Sequence, residues 1–130
     1  LAEGLLKLEG DLWLVMAELA CLPEKLGNLT ETGTRPTAKD VTRLETLIDQ
    51  ATTRFDPPTE FVVPGENEVS ARLDFARTVT RRAERSALAV ATPGSQVVPY
   101  LNRLSDLLWA LARAEEGTSV TAQSLNNEDS

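Results

Sequence analysis

The chain has 130 residues, 13 of them basic and 20 acidic, for a net charge of −7. That balance argues against a nucleic-acid binder, whose footprint is a basic face, and the length fits one domain with a real core. It contains no histidine, which excludes Ser-His-Asp and Cys-His catalysis, histidine-ligated zinc and any imidazole acid or base.

Apolar residues at Leu1, Leu5, Leu8, Leu12, Val15 and Leu19 step by three and four and predict a helix over about 1–20. No capping signal precedes it, so an N-terminal part is expected to be missing. Cys21, the single cysteine, follows that run and is expected in the core. Residues 23–36, with Pro23, Gly27, Gly33 and Pro36, predict a loop. Thr37 as N-cap with Asp40 in the box position opens a second helix carrying Val41, Leu44, Leu47, Ile48 and Ala51, which Pro57 and Pro58 end. Thr59 to Gly65 is a short extended connector, too apolar at Phe61, Val62 and Val63 to lie loose.

A third helix is predicted over about 67–90, its seam at Val69, Leu73, Ala76, Val79, Ala83, Ala87 and Val90. The fourth, over about 97–114, has a seam at Val97, Leu101, Leu104, Leu108 and Leu111 and a polar stripe at Asn102, Asp106, Trp109 and Arg113. Pro99 is tolerated in its first turn. Residues 115–130 are polar and expected to form a disordered tail. The fold class is therefore all-α, an antiparallel helical bundle of residues 1–114 with four readable helices. Its leftover apolar surface should be covered by a missing helix or another subunit. No apolar run approaches the roughly 18 residues of a membrane span, and the lone cysteine leaves no disulfide framework, so a cytoplasmic location is expected.

Charge is concentrated on the third helix, where Arg72, Arg77, Arg81, Arg82 and Arg85 gather in an acidic protein. Arg77, Arg81 and Arg85 share one flank. Taken alone, they fit a solvated face with intrahelical pairs. They also fit an anion site, because guanidinium is permanently charged and presents a planar fork of donors to phosphate oxygens. The next helix offers Asn102, Arg103, Ser105 and Asp106. Asn102 can donate and accept, and Asp106 can hold an arginine or help organise a magnesium shell.

The strings FVVPGENEVSARLDFARTVTRRAER and YLNRLSDLLWALAR, after LEGDLWLVMAELA and DVTRLETLIDQ, closely resemble the PduO-type ATP:cob(I)alamin adenosyltransferases over roughly residues 1–113. The resemblance implies a five-helix bundle, a homotrimer with ATP between subunits, and attack of cob(I)alamin on the 5′ carbon of ATP. Adenosylcobalamin and triphosphate would result, with ATP, Mg2+ and the corrinoid as the small molecules involved. It implies that Arg81 meets the polyphosphate with Arg82 nearby, that Glu84 and Asn102 contact the nucleotide, and that Asp106 steadies the site. Phe61 would join the apolar wall beneath the corrin. Arg77 would pair with an acid of the family's first helix, and with that helix absent Asp74, where the family usually has histidine, is expected to pair with it. A corrinoid reductase or an adenosylcobalamin-dependent enzyme is an implied partner. The alternatives are a homologue that holds adenosylcobalamin or ATP without transfer, and a structural helical module.

Overall fold

The computed structural model describes residues 2–55 and 67–128, with side chains described for 3–55 and 67–116. Five helices follow one another: α1 (Ala2–Leu19), α2 (Leu26–Thr32), α3 (Ala38–Thr52), α4 (Glu68–Leu88) and α5 (Val97–Glu128). A 3-10 turn at Pro23–Lys25 joins the first two, and no strand occurs among the described residues. The all-α expectation holds.

Two segments differ from the sequence reading. Residues 23–36 are not a plain loop: Pro23 starts the 3-10 turn, and α2 follows until Gly33 adopts φ 69° and closes it. That left-handed conformation is one only glycine takes at little cost. Beyond Ala114, α5 continues to Glu128, since no proline interrupts it. Glu115 and Glu116 are tied into the bundle, the first by Arg54 at 3.6 Å and the second by Arg113 at 2.8 Å.

Capping fixes two helix starts. Thr37 and Asp40 form the capping box read from the sequence. Asn67 and Ser70 form a second box that opens α4, unread because serine replaces the usual glutamate or glutamine at N3.

The axis of the bundle is α5, with α3 and α4 packed on it. Asn67 reaches Glu115, Asp74 reaches Arg113 and Glu84 reaches Asn102, so α4 and α5 run antiparallel. On α1, Asp11 and Glu18 meet Tyr100 and Ser95 of the α5 side and Arg43 and Arg35 of the α3 side, which makes α1 antiparallel to both. Val97, Tyr100, Leu101, Leu104, Leu107 and Leu108 of α5 close over Leu8, Val15, Leu44 and Leu73.

The buried stripe of α1 is Leu8, Asp11, Val15 and Glu18, rotated from the leucine seam. Leu5 and Leu19 are exposed, and Cys21 is only half-buried because α1 has already ended. The two acids sit inside at 3% and 5% exposure, which is tolerable because each is paired and hydrogen-bonded. On α4 the buried set is Ser70, Leu73 and Ala87, while Val69 and Val79, and Val90 just past its end, stand exposed. With α5 as its main neighbour, α4 buries a narrower stripe than the predicted seam.

Tyr100 is fully buried and donates to Asp11 Oδ2 at 2.9 Å. Burial, then the charge and hydrogen bond of Asp11, push its phenol well above its ordinary value. The folded state therefore keeps a proton that the unfolded chain releases near pH 10, so stability is full below that pH and falls above it. The expected slope is about 1.4 kcal/mol per pH unit. Since Tyr100 is the one tyrosine, tyrosinate absorbance of this chain should appear together with unfolding. A non-cooperative titration near pH 10 in the folded chain would contradict it.

Candidate functional site

Along the α4–α5 seam, Asp74, Arg77, Arg81 and Glu84 share a face of α4, and Asn102, Asp106, Trp109 and Arg113 share a face of α5. One end is tied by Asn102 Nδ2 donating to Glu84 Oε1 at 3.0 Å. At the other end Arg113 Nη2 meets Asp74 Oδ2 at 2.5 Å. Arg77 and Arg81 lie between these ties in register.

Arg113 is 6% exposed, with Asp74 and Glu116 supplying the compensating charge. Its guanidinium carbon lies 5.6 Å from the Trp109 ring centroid, and Phe55 meets that ring edge-on at 5.9 Å. The predicted Asp74–Arg77 pair is thus replaced. A buried guanidinium loses more without a partner than a half-exposed one, so Arg113 takes the carboxylate. Asp74→Asn is expected to lower stability by about 1–2 kcal/mol through this pair and to leave ATP affinity unchanged; denaturant unfolding and nucleotide titration check both.

The pairing of the remaining arginines is the deciding feature. Arg35, Arg43, Arg54, Arg72, Arg103 and Arg113 each face a carboxylate. Among the described residues, the side chains of Arg77, Arg81, Arg82 and Arg85 have no hydrogen-bond or ion-pair partner. Glu84, the acid that could have neutralised them, is turned to Asn102. Four cations without a compensating partner among the described residues, on the last turns of one helix, leave a concentrated positive surface instead of a salt-bridged face. Arg77 is half-buried at the seam, and Arg81 and Arg85 are exposed. Arg82 is displaced by about 100° around the helix, toward the outward face carrying Phe75 and Val79.

Of the residues singled out in the sequence, Glu84 and Asn102 are in contact, while Asp106 pairs with Arg103 at 2.8 Å. Phe61 and the Thr59 to Gly65 connector lie outside the described residues. The described residues contain no group of three or more acids or thiols placed to hold a metal ion. A cleft of about 400 Å³ opens elsewhere, lined by Leu5, Leu8, Leu47, Ala51, Leu107 and Leu111; its charged residues Arg54 and Glu115 face each other, which suits packing rather than an anion.

A model of the family described as cobalamin adenosyltransferase matches residues 1–115, the whole of this helical seam included. The chain belongs to the cobalamin adenosyltransferase family. Its similarity to named members is broad. Corrinoid adenosyltransferase of Citrobacter freundii is 40% identical over 121 residues, covering 91% of this chain and 67% of that protein. Corrinoid adenosyltransferase PduO of Salmonella typhimurium is 45% identical over 88 residues, covering 65% of this chain and 26% of that protein. The human corrinoid adenosyltransferase MMAB is 40% identical over 79 residues, 58% of this chain and 32% of that protein. The matched stretch therefore spans about a quarter of the PduO relatives, 26% and 24% of their lengths. No helix among the described residues of this cobalamin adenosyltransferase-family chain is long and apolar enough to cross a membrane.

Proposed function

We propose that this protein transfers the 5′-deoxyadenosyl group of ATP to cob(I)alamin, giving adenosylcobalamin and triphosphate. The observation that carries this is the set of uncompensated arginines on α4 beside the Glu84–Asn102 pair, in a chain of the cobalamin adenosyltransferase family. Cobalt supplies the nucleophile: a Co–C5′ bond forms, the C5′–O bond breaks, and its electron pair leaves with triphosphate. The protein then needs no nucleophile of its own, in keeping with a chain without histidine. Its part is to hold the two substrates in line and to stabilise the leaving polyanion.

In this scheme Arg81 meets the polyphosphate, Arg77 adds charge from the seam and Arg82 lies nearby. Glu84 and Asn102 orient the nucleoside, Asp106 steadies the site, and Phe61 forms part of the apolar wall under the corrin. Magnesium would arrive with the nucleotide, since the described residues offer it no acidic cluster. A homotrimer is proposed from exposed apolar side chains, Trp13 at 61% and Phe75 at 71%, that a neighbouring subunit would cover. A cytoplasmic location and exchange of corrinoid with a reductase or an adenosylcobalamin-dependent enzyme complete the proposal, whose unit is residues 1–114 together with Glu115 and Glu116.

The test is an anaerobic assay of the complete protein with ATP, magnesium and chemically reduced cobalamin, followed by corrin absorbance. Conversion to adenosylcobalamin is expected. Protection by ATP against heat without any conversion would sink the transfer and leave a nucleotide-binding protein; ligand at 100 times its Kd adds about 2.7 kcal/mol.

A further inference from the structure

Asn102 is held from both sides. Its Nδ2 donates to Glu84 Oε1 at 3.0 Å, and its Oδ1 accepts from Arg103 Nε at 3.2 Å and Nη2 at 2.5 Å. Arg103 is itself held by Asp106, with Nη2 to Oδ2 at 2.8 Å. A guanidinium can only donate and a carboxylate can only accept. Both neighbours therefore demand one amide orientation, oxygen toward Arg103 and nitrogen toward Glu84. Two guanidinium N–H groups occupy the oxygen's lone pairs, and one N–H of Asn102 is left over.

We propose that Arg103, anchored by Asp106, is a positioning residue that fixes the Asn102 amide and commits its remaining N–H to an acceptor atom of the nucleotide. This rests on the proposed function, in which Asn102 meets ATP. It narrows Asn102 from a side chain able to donate and accept to one that only donates, so its contact on ATP is an oxygen or an unprotonated ring nitrogen. The role of Asp106 follows as well: its carboxylate acts through Arg103 and Asn102 rather than on a metal.

The Arg103–Asp106 pair is partly exposed, at 37% and 51%, and such a pair adds little to stability, so variants should fold. In the complete protein, Arg103→Leu is expected to lower kcat/KM for ATP about tenfold, the weight of one charge-assisted hydrogen bond, mainly through KM. Arg103→Lys should recover part of it. In an Asn102→Ala background, Arg103→Leu should change nothing further, because its effect runs through that amide. Wild-type kinetics in Arg103→Leu, or an equal loss in both backgrounds, would overturn the role. Should the wild-type protein show no turnover, the proposed function fails by itself, and the side-chain amide signals of Asn102 in a ¹⁵N spectrum decide about Arg103. A shift of that pair in Arg103→Leu supports the positioning role, and unchanged signals overturn it.

Discussion

Arg81→Ala in the complete protein is expected to lower kcat by about a thousandfold, the scale on which preorganised cations stabilise a leaving polyphosphate, with the bundle still folded. Arg81 lies one turn beyond Arg77, is exposed, and has no partner among the described residues. Removing it therefore breaks no ion pair of the fold, and unfolding in denaturant should be within about 0.5 kcal/mol of wild type. Arg81→Lys should restore only part of the rate, since a point charge cannot supply the bidentate fork. Arg82→Ala should cost less, because its side chain starts about 100° away around the helix. Wild-type rates in Arg81→Ala would remove that residue from the mechanism.

Asp11→Ala should produce the largest loss of stability, about 3 kcal/mol. The carboxylate is 3% exposed and is shared by Arg43 of α3 and Tyr100 of α5. Its removal leaves a fully buried phenol without an acceptor and a guanidinium without its counter-charge, and the Nε of Arg43 is already without a hydrogen-bond partner among the described residues. Because the lost acceptor is the cause, adding Tyr100→Phe to Asp11→Ala should recover part of the loss. Denaturant midpoints at constant m-value measure both. Equal stability of Asp11→Ala and wild type would mean that the α1 ties do not hold the bundle.

Periodicity and capping made much of this fold legible. Thr37 and Asp40 opened α3 as predicted, and the α5 seam from Val97 to Leu108 became the axis of the core. What escaped was set by tertiary pairing. Asp11 and Glu18 lie outside the leucine seam read from the sequence, and only partners distant in sequence, Arg43, Tyr100, Arg35 and Ser95, make their burial tolerable. The same reason hid the Asp74–Arg113 pair, since i+3 spacing pointed to Arg77 while the competing guanidinium sits on another helix. Helix α2 was concealed by Gly27 within it and Gly33 just past its end, and the continuation of α5 by its polar composition.

The site was legible in residue type and less so in wiring. The arginine cluster and the Asn102–Asp106 string stood out as a pattern, yet spacing alone favoured a solvated face with intrahelical pairs. Only the fold shows which cations are already compensated. Arg103 was one polar residue in a string until its guanidinium was placed on the Asn102 oxygen.

We propose that the α4 arginines without a partner among the described residues receive the polyphosphate. Calorimetric titration of inorganic triphosphate into the complete protein, wild type against the Arg77→Ala/Arg81→Ala variant, is the experiment that decides it. Binding by wild type and a loss of at least about tenfold in the variant is the predicted result. Equal affinity for the two proteins would contradict it.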